Sequence, residues 1–382
     1  MPAHRVRDAS IVIVREESPA RGFDEFPFHA VGTESVRTIP RMELQIMLPG
    51  KIPPDILKSL VFTHLGKKDP DLLLGPRVGE DASLIRVGKD IIVVATDPIT
   101  GSIEDVGRLA VHINANDIAT FGVQPRWFLA SIMLPQGCTQ SDLKHIIQQI
   151  DTAAKSLEIA VAGGHTEITS GLDRPIIAGF MIGVADDGKY VTSSGARPGD
   201  HFIMTKSIAL EGTSILATEG SEYLLDSLDS KLLKEARTLG SMISVVKEGL
   251  AAFKTGYLTA MHDPTEGGIA GGIHEICDAS EVGCSIRKSQ IPIHSITELI
   301  CEILDINPMH LISSGSMLMT CSSDFSTDVI KAINSVGVSA AVIGEVVKDS
   351  SRRYIIVDGE PIPLSRPESD ALWAALDRVT QK

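Results

Sequence analysis

The chain has 382 residues, 43% of them hydrophobic, and a formal net charge of -14. That length can bury a large core and suggests two or three domains. The acidic balance, without a lysine- or arginine-rich block interleaved with aromatics, excludes a nucleic-acid binder of the phosphate-reading kind, and no apolar stretch reaches membrane-spanning length.

Residues 1–41 mix charge, proline and glycine without a long period, apart from the strand-like 11–14. They read either as a weakly ordered extension or as sequence upstream of the true start. A domain opens near Leu48-Pro49-Gly50-Lys51-Ile52-Pro53-Pro54. Segments 83–87 and 90–96 predict a hairpin turning at Gly88-Lys89. Residues 104–121 predict a helix ended by Gly122, 127–134 a strand stopped by Pro135, and 141–157 an amphipathic helix capped by Ser141. Apolar strands follow at 159–162 and 175–185. Gly195-Ala196-Arg197-Pro198-Gly199-Asp200 is rich in turn formers and marks a domain junction. Beyond it lies a strand at 202–206. Helices are expected near 231–252, 266–279, 295–304, 325–335 and 369–379, and strands near 283–287, 316–321, 339–347 and 354–357. The alternation predicts an α/β or α+β fold in two halves, 42–195 and 196–382, each with a sheet covered on one face by helices.

The five cysteines, Cys138, Cys277, Cys284, Cys301 and Cys321, form no Cys-x-x-Cys pair and are odd in number. With no signal peptide visible, a reducing, cytoplasmic setting is the simpler expectation.

The chemistry-bearing residues are acids set against apolar segments. Asp81 lies in Gly79-Glu80-Asp81-Ala82, Asp97 ends the apolar run 91–96, and Glu167 closes Gly163-Gly164-His165-Thr166-Glu167. Asp117 follows Asn116 on a helix apolar nearly all round, since Val106, Leu109, Ala110 and Ile113 share its face while Ala115, Ile118 and Ala119 occupy the other. Carboxylates in such surroundings are costly unless something positive meets them. Magnesium carrying nucleotide phosphate suits them, because it takes oxygen ligands and draws several from the phosphates. Taken singly, each has a bland reading as a turn or capping residue. Asp117 alone divides evenly between a cap and a ligand; the four together favour the ligand.

His262-Asp263-Pro264-Thr265-Glu266-Gly267-Gly268 leads directly into a helix. Its glycines fit close approach of a phosphate to free N–H groups, or equally the tight packing of helix on sheet. His262 either orients a substrate or is structural. Lys206, at a strand end, either neutralises a phosphate or is solvated.

In this order the motifs resemble the superfamily of aminoimidazole ribonucleotide synthetase (PurM), which includes the hydrogenase-maturation protein HypE, selenophosphate synthetase and thiamine-monophosphate kinase. The pieces most similar to HypE are Gly107-Arg108-Leu109-Ala110 and 262–270. The resemblance implies an N-terminal α/β domain that pairs across a homodimer, a C-terminal α/β domain, and ATP with Mg2+ in a cleft near the dimer interface. Asp81, Asp97, Asp117 and Glu167 would hold the metal. Gly163, Gly164, His165, Thr166, Asn116, Gly267 and Gly268 would line the nucleotide, and Asp263, with His262 and Lys206, would face the reacting group. HypE uses ATP to dehydrate a thiocarboxamide on its own terminal cysteine. This sequence instead ends Asp377-Arg378-Val379-Thr380-Gln381-Lys382, and it carries Ser313-Ser314-Gly315-Ser316 where HypE has a glutamate–glycine pair. The implied activity is therefore HypE-like phosphorylation and dehydration of an oxygen-bearing group, with a maturation protein as partner. Two other readings stand beside it: a small-molecule kinase similar to thiamine-monophosphate kinase or selenophosphate synthetase, and a non-catalytic nucleotide-binding scaffold.

Overall fold

The computed structural model describes residues 50–100 and 105–380. The expectations for 1–41 and for the segment up to residue 49 lie outside them. A short helix α1 (Pro54–Ile56) runs into a π-helical turn, Leu57–Val61. The first sheet is built from β1 (Leu72–Leu74), β2 (Ser83–Val87), β3 (Asp90–Ile99), β4 (Pro125–Leu134), β5 (Ala160–Ile168) and β6 (Ile176–Ala185), in the order β1-β2-β3-β6-β4-β5. Two helices, α2 (Val106–Ala119) and α3 (Gln140–Ser156), cover one face of it. On the other face Phe180 stays exposed.

The predicted hairpin forms as expected, with Ser83 opposite Val94 and Val87 opposite Asp90. The cap of α3 is Thr139 rather than Ser141. The Thr139 hydroxyl accepts from the Asp142 N–H while the Asp142 carboxylate accepts from the Thr139 N–H, a reciprocal box that a cap at 141 would lack.

Next come β7 (Asp200–Thr205), α4 (Leu210–Glu219), α5 (Ser221–Leu224), α6 (Ser230–Thr238), α7 (Val246–Phe253), β8 (Leu258–His262), α8 (Gly268–Ala279), β9 (Gly283–Arg287) and α9 (Ser295–Ile303). The chain finishes with β10 (Leu318–Ser322), α10 (Ser326–Ser335), β11 (Ala340–Val347), β12 (Arg353–Val357), β13 (Glu360–Pro363) and α11 (Ala371–Thr380). The second sheet has the order β13-β12-β9-β11-β7-β10-β8. Its central strands β7 and β10 are buried on both faces. One apolar cluster packs with α4, α6, α8, α9 and α11, and another with α7 and α10, so the expectation of a single covered face fails for this half. The helix expected over 231–252 is two helices with a loop between. Among the described residues no helix is long and apolar enough to cross a membrane.

Candidate functional site

Four acids from separate elements converge between the two sheets. Asp81 lies in the turn that opens β2, Asp97 in β3, Asp117 in α2, and Asp263 directly after β8. All α2 residues except Arg108 and His112 are buried, which places Asp117 under cover. Asp97 is fixed by Asn114, whose side-chain oxygen accepts from the Asp97 N–H (2.8 Å) and whose amide donates to the Asp97 carbonyl (3.2 Å).

The electrostatics record the convergence. Burial pushes the Asp117 carboxyl well above its ordinary value, reinforced by the charges of Asp97, Asp263 and Asp81. Burial does the same to Asp263, reinforced by Asp81 and Asp97 and opposed by His262 and Lys51. Asp97 is raised by burial and by its neighbours Asp81 and Glu266. Asp81, His262 and Asp263 each offer an atom within 4.8 Å of the others.

His262 is held between two carboxylates, its Nδ1 2.9 Å from Asp81 and its Nε2 2.8 Å from Glu275. Burial alone would favour the neutral ring, but Asp81 and Glu275 hold its pKa well above the usual histidine value. Burial would likewise raise Glu275, yet Lys51 and His262 pull it down to about 2. With both ring nitrogens donating, His262 is a cation and offers no lone pair to a metal. Lys51 supplies the second positive charge. Its N–H donates to Glu266 (2.7 Å) and its Nζ to the Thr265 hydroxyl (2.9 Å). Burial opposes its charge, but Glu275, Asp81, Asp97 and Asp263 keep it above the ordinary lysine value.

A divalent cation fits this set. Both oxygens of Asp263 are buried without a hydrogen-bond partner, and buried acceptors of that kind are rare unless something electrophilic occupies them. The remaining donors are carboxylate oxygens, the ligands of Mg2+ rather than of a softer metal.

The other expected site residues are placed elsewhere. Asp97 pairs with Gly179, Gly179 with Ala130, and Ala130 with Gly164, so one row crosses β3, β6, β4 and β5. Three inter-strand spacings put Gly164 roughly 14 Å from Asp97. Glu167, farther along β5, therefore does not share a cation with Asp97 within one chain. It accepts instead from Thr169 (2.7 Å) and pairs with His165 (3.1 Å). Gly163, Gly164, His165 and Thr166 line a cleft of about 350 Å³ at the edge of the sheet. A Cβ at Gly164 would lie 2.1 Å from the Ala130 carbonyl oxygen, so close strand approach explains that glycine.

Asn116 is not turned toward a nucleotide. Its amide donates to the Ile243 carbonyl and its oxygen accepts from the Val245 N–H, both at 2.9 Å, and so ties α2 to the loop before α7. Lys206 braces the same loop through the Met242 and Ser244 carbonyls and forms a buried pair with Glu248 (2.6 Å). At the start of α8 the Gly267 N–H donates to Asp370 (2.7 Å), and a Cβ on Gly268 would lie 2.6 Å from two carbonyl oxygens. Packing accounts for this glycine pair. Sequence reasoning missed Lys51, Glu275 and Asn114.

Two domain models match the chain: the N-terminal domain of AIR synthase related proteins over residues 79–185, and the C-terminal domain over 197–356. A putative hydrogenase expression/formation protein of Methanocaldococcus jannaschii is 28% identical over 82% of this chain and 96% of its own length. The carbamoyl dehydratase HypE of Rhizobium leguminosarum bv. viciae is 29% identical over 72% of this chain and 79% of its own. Among solved structures, a HypE–HypF complex superposes with a TM-score of 0.66 at 26% identity, covering 75% of this chain and 93% of that one. A HypE in complex with ATP has the same fold, with a TM-score of 0.62 at 21% identity over 85% and 97% of the two chains.

Proposed function

Because the chain belongs to the AIR synthase related (PurM-like) family, we propose that it is an ATP- and Mg2+-dependent dehydratase of hydrogenase metallocentre maturation. The supporting observation is the convergence of Asp81, Asp97, Asp117 and Asp263, with both Asp263 oxygens lacking a donor. These acids would hold Mg2+, which supplies charge neutralisation on the terminal phosphate. Lys51, positioned by Glu266 and Thr265, offsets the acids' charge and would offer its own to the phosphate. His262 is a positioning residue that fixes Asp81 and Glu275. In this reading the reaction is dehydration of a carbamoyl group, the chemistry that the relatives' name describes, with ATP taking up the oxygen as phosphate.

The active form in this reading is a homodimer. In the single chain every residue of β5 is exposed, Val161 and Ile168 by more than half, and among the described residues β5 is an edge strand with no neighbour on its outer side. A second copy covering that edge would bring Gly163–Glu167 to a shared cleft. A second maturation protein would be the other partner, as in the HypE–HypF complex.

Product analysis with Mg·ATP tests the reading. ADP and phosphate released only with a carbamoylated maturation partner or a carbamoyl thioester support it. Release with a small-molecule alcohol or phosphate acceptor would make the chain a kinase, and binding without turnover would make it a scaffold. Sedimentation as a monomer at micromolar concentration would remove the shared cleft.

A further inference from the structure

One acid of the cluster has no side-chain anchor. Asp81 is held by His262, and the backbone of Asp97 is held by Asn114, but neither oxygen of Asp263 accepts a hydrogen bond. The aim of the Asp263 carboxylate is therefore set by the backbone of the turn 263–266. That turn runs from His262, the last residue of β8, to Gly267, just before α8. At its first end His262 is fixed between Asp81 and Glu275. At its other end the anchor comes from the C-terminal segment.

Asp370 directly precedes α11 and is 5% exposed. Its Oδ2 accepts from the Gly267 N–H (2.7 Å), and its Oδ1 accepts from the Ile312 N–H (3.1 Å) and the Leu372 N–H (2.8 Å). The bond to Leu372 is local and is the one an acid at a helix start ordinarily makes. The other two span 103 and 58 residues, and capping α11 does not require them. They join the start of α11, the turn before α8 and the loop 312–314 to one carboxylate. That loop meets the turn again, since the Ser313 N–H donates to the Thr265 carbonyl (3.2 Å). Gly267 is left-handed, with φ of 83°, and a Cβ there would lie 3.2 Å from Pro367 Cγ, so the segment 367–370 lies directly against the turn. Thr265 and Glu266, which hold Lys51, belong to the same turn.

We propose that Asp370 is a positioning residue for Asp263: by gripping the Gly267 N–H it fixes the turn whose backbone aims the Asp263 carboxylate at the cation. The proposal rests on the cation-site part of the proposed function and not on the substrate. Asp370→Asn isolates this grip. The amide has one acceptor oxygen. Turned toward Ile312 and Leu372, that oxygen keeps two bonds and gives up one, so this orientation is favoured. The amide NH2 then faces the Gly267 N–H, donor against donor. The turn is released while the loop and the start of α11 stay held.

The test titrates full-length protein with Mn2+, a paramagnetic probe for the Mg2+ site, by electron paramagnetic resonance with and without a non-hydrolysable ATP analogue. D370N is compared with V379A, because Val379 lies near the other end of α11 and packs on the same apolar cluster. Urea unfolding measures the stability of each. Loss of a group that orients a metal ligand costs about 10–100-fold in metal affinity, so D370N should weaken Mn2+ binding at least about tenfold. V379A should bind Mn2+ within about twofold of wild type even where its unfolding midpoint falls as far. A loss in D370N smaller than about tenfold, or an equal loss in V379A, overturns the proposal. Should D370N not fold, D370S, whose single short acceptor cannot span three donors, is read by the same criteria. If wild type binds no Mn2+, the cation reading fails, and Asp370 is judged by amide hydrogen exchange over residues 263–268. Faster exchange there in D370N than in V379A keeps Asp370 as the anchor of the turn; equal exchange removes it.

Discussion

Asn116→Ala separates a domain clamp from a nucleotide ligand. The wild-type amide is fully buried and makes two 2.9 Å hydrogen bonds to backbone that is itself buried at Ile243 and Val245. Truncation leaves one N–H and one C=O without partners and without water. Each such group costs about 1–3 kcal/mol, so the variant should lose about 2–6 kcal/mol in all. Asn116→Asp keeps the acceptor for Val245 but sets a carboxylate against the Ile243 carbonyl, and should be no more stable than the alanine variant. The two tryptophans make the measurement local, since Trp127 lies in β4 of the first sheet and Trp373 in α11 of the second half. Urea unfolding of single-tryptophan versions should show both reporters shifting together, because the clamp joins the halves. Calorimetric affinity for Mg·ATP, measured where the variant is folded, should stay within about threefold of wild type, a difference of less than 1 kcal/mol. A stability loss under about 1 kcal/mol together with a tenfold loss of nucleotide affinity would refute the clamp and return Asn116 to the ligand list.

Asp117→Asn should act in the opposite sense. The raised Asp117 pKa means that the folded protein holds this proton more tightly than the unfolded chain does, so the carboxyl destabilises the fold increasingly as pH rises above its ordinary value of 3.8. Removing it should raise the midpoint of thermal unfolding of the cation-free protein at pH 8 and weaken Mg·ATP binding more than about tenfold; a variant that is both less stable and unchanged in binding would contradict this placement. For His262→Gln the sign reverses. The histidine's folded pKa is raised, so its contribution is complete below 6.5 and is lost as pH rises through the higher folded value. The variant should lose about 3–5 kcal/mol at pH 6, as for a buried pair with one partner removed, and the deficit measured by urea unfolding should shrink toward high pH. A deficit that grows with pH would mean that the ring is neutral between Asp81 and Glu275.

The hairpin of β2 and β3 was legible because two short apolar runs flank a glycine turn, and both signals act over a few residues. Asp97 and Asp117 were legible for a similar reason, since each contrasts with apolar neighbours in the chain; Asp81 and Asp263 stood out through their glycine-bearing motifs, and Asp263 was expected to face the reacting group. What lay beyond the sequence was distance. Glu167 has the same local signature, but the strand order carries it to an edge three strands away from Asp97. Lys51 has no local signature at all, since its partner Glu266 is 215 residues distant. Asn114 and Asn116 are two residues apart on a helix buried on nearly all sides, so polarity contrast could not tell which one serves the site. The turn of the helix gives Asn114 to Asp97 and Asn116 to the Val245 loop. Helix α4, with Glu211 in its first turn, begins at a left-handed Ala209, which no residue preference announces.

The arrangement of the two built-in cations explains why the site would be selective for which acids meet a metal. His262 lies between Asp81 and Glu275, and Lys51 is drawn toward Glu275 first; together they keep Glu275 ionised with its pKa at about 2. Two fixed positive charges thus serve five carboxylates, and Glu275 is the one they hold down. Asp97, Asp117 and Asp263 are left with raised pKa values, because burial and their repulsion by neighbouring carboxylates exceed the help from Lys51 and, at Asp263, from His262. An uncompensated buried carboxylate is costly, and it either takes up a proton or acquires a counter-ion. A third protein cation would remove that cost but would also fill the space and leave no affinity for a ligand. By satisfying Glu275 and leaving Asp97, Asp117 and Asp263 short of positive charge, the chain holds three carboxyl groups in a state that a divalent cation would relieve. The cation's binding energy then includes relief of strain already present in the folded protein, which is how a site with few protein ligands could hold a metal that the phosphates help to coordinate.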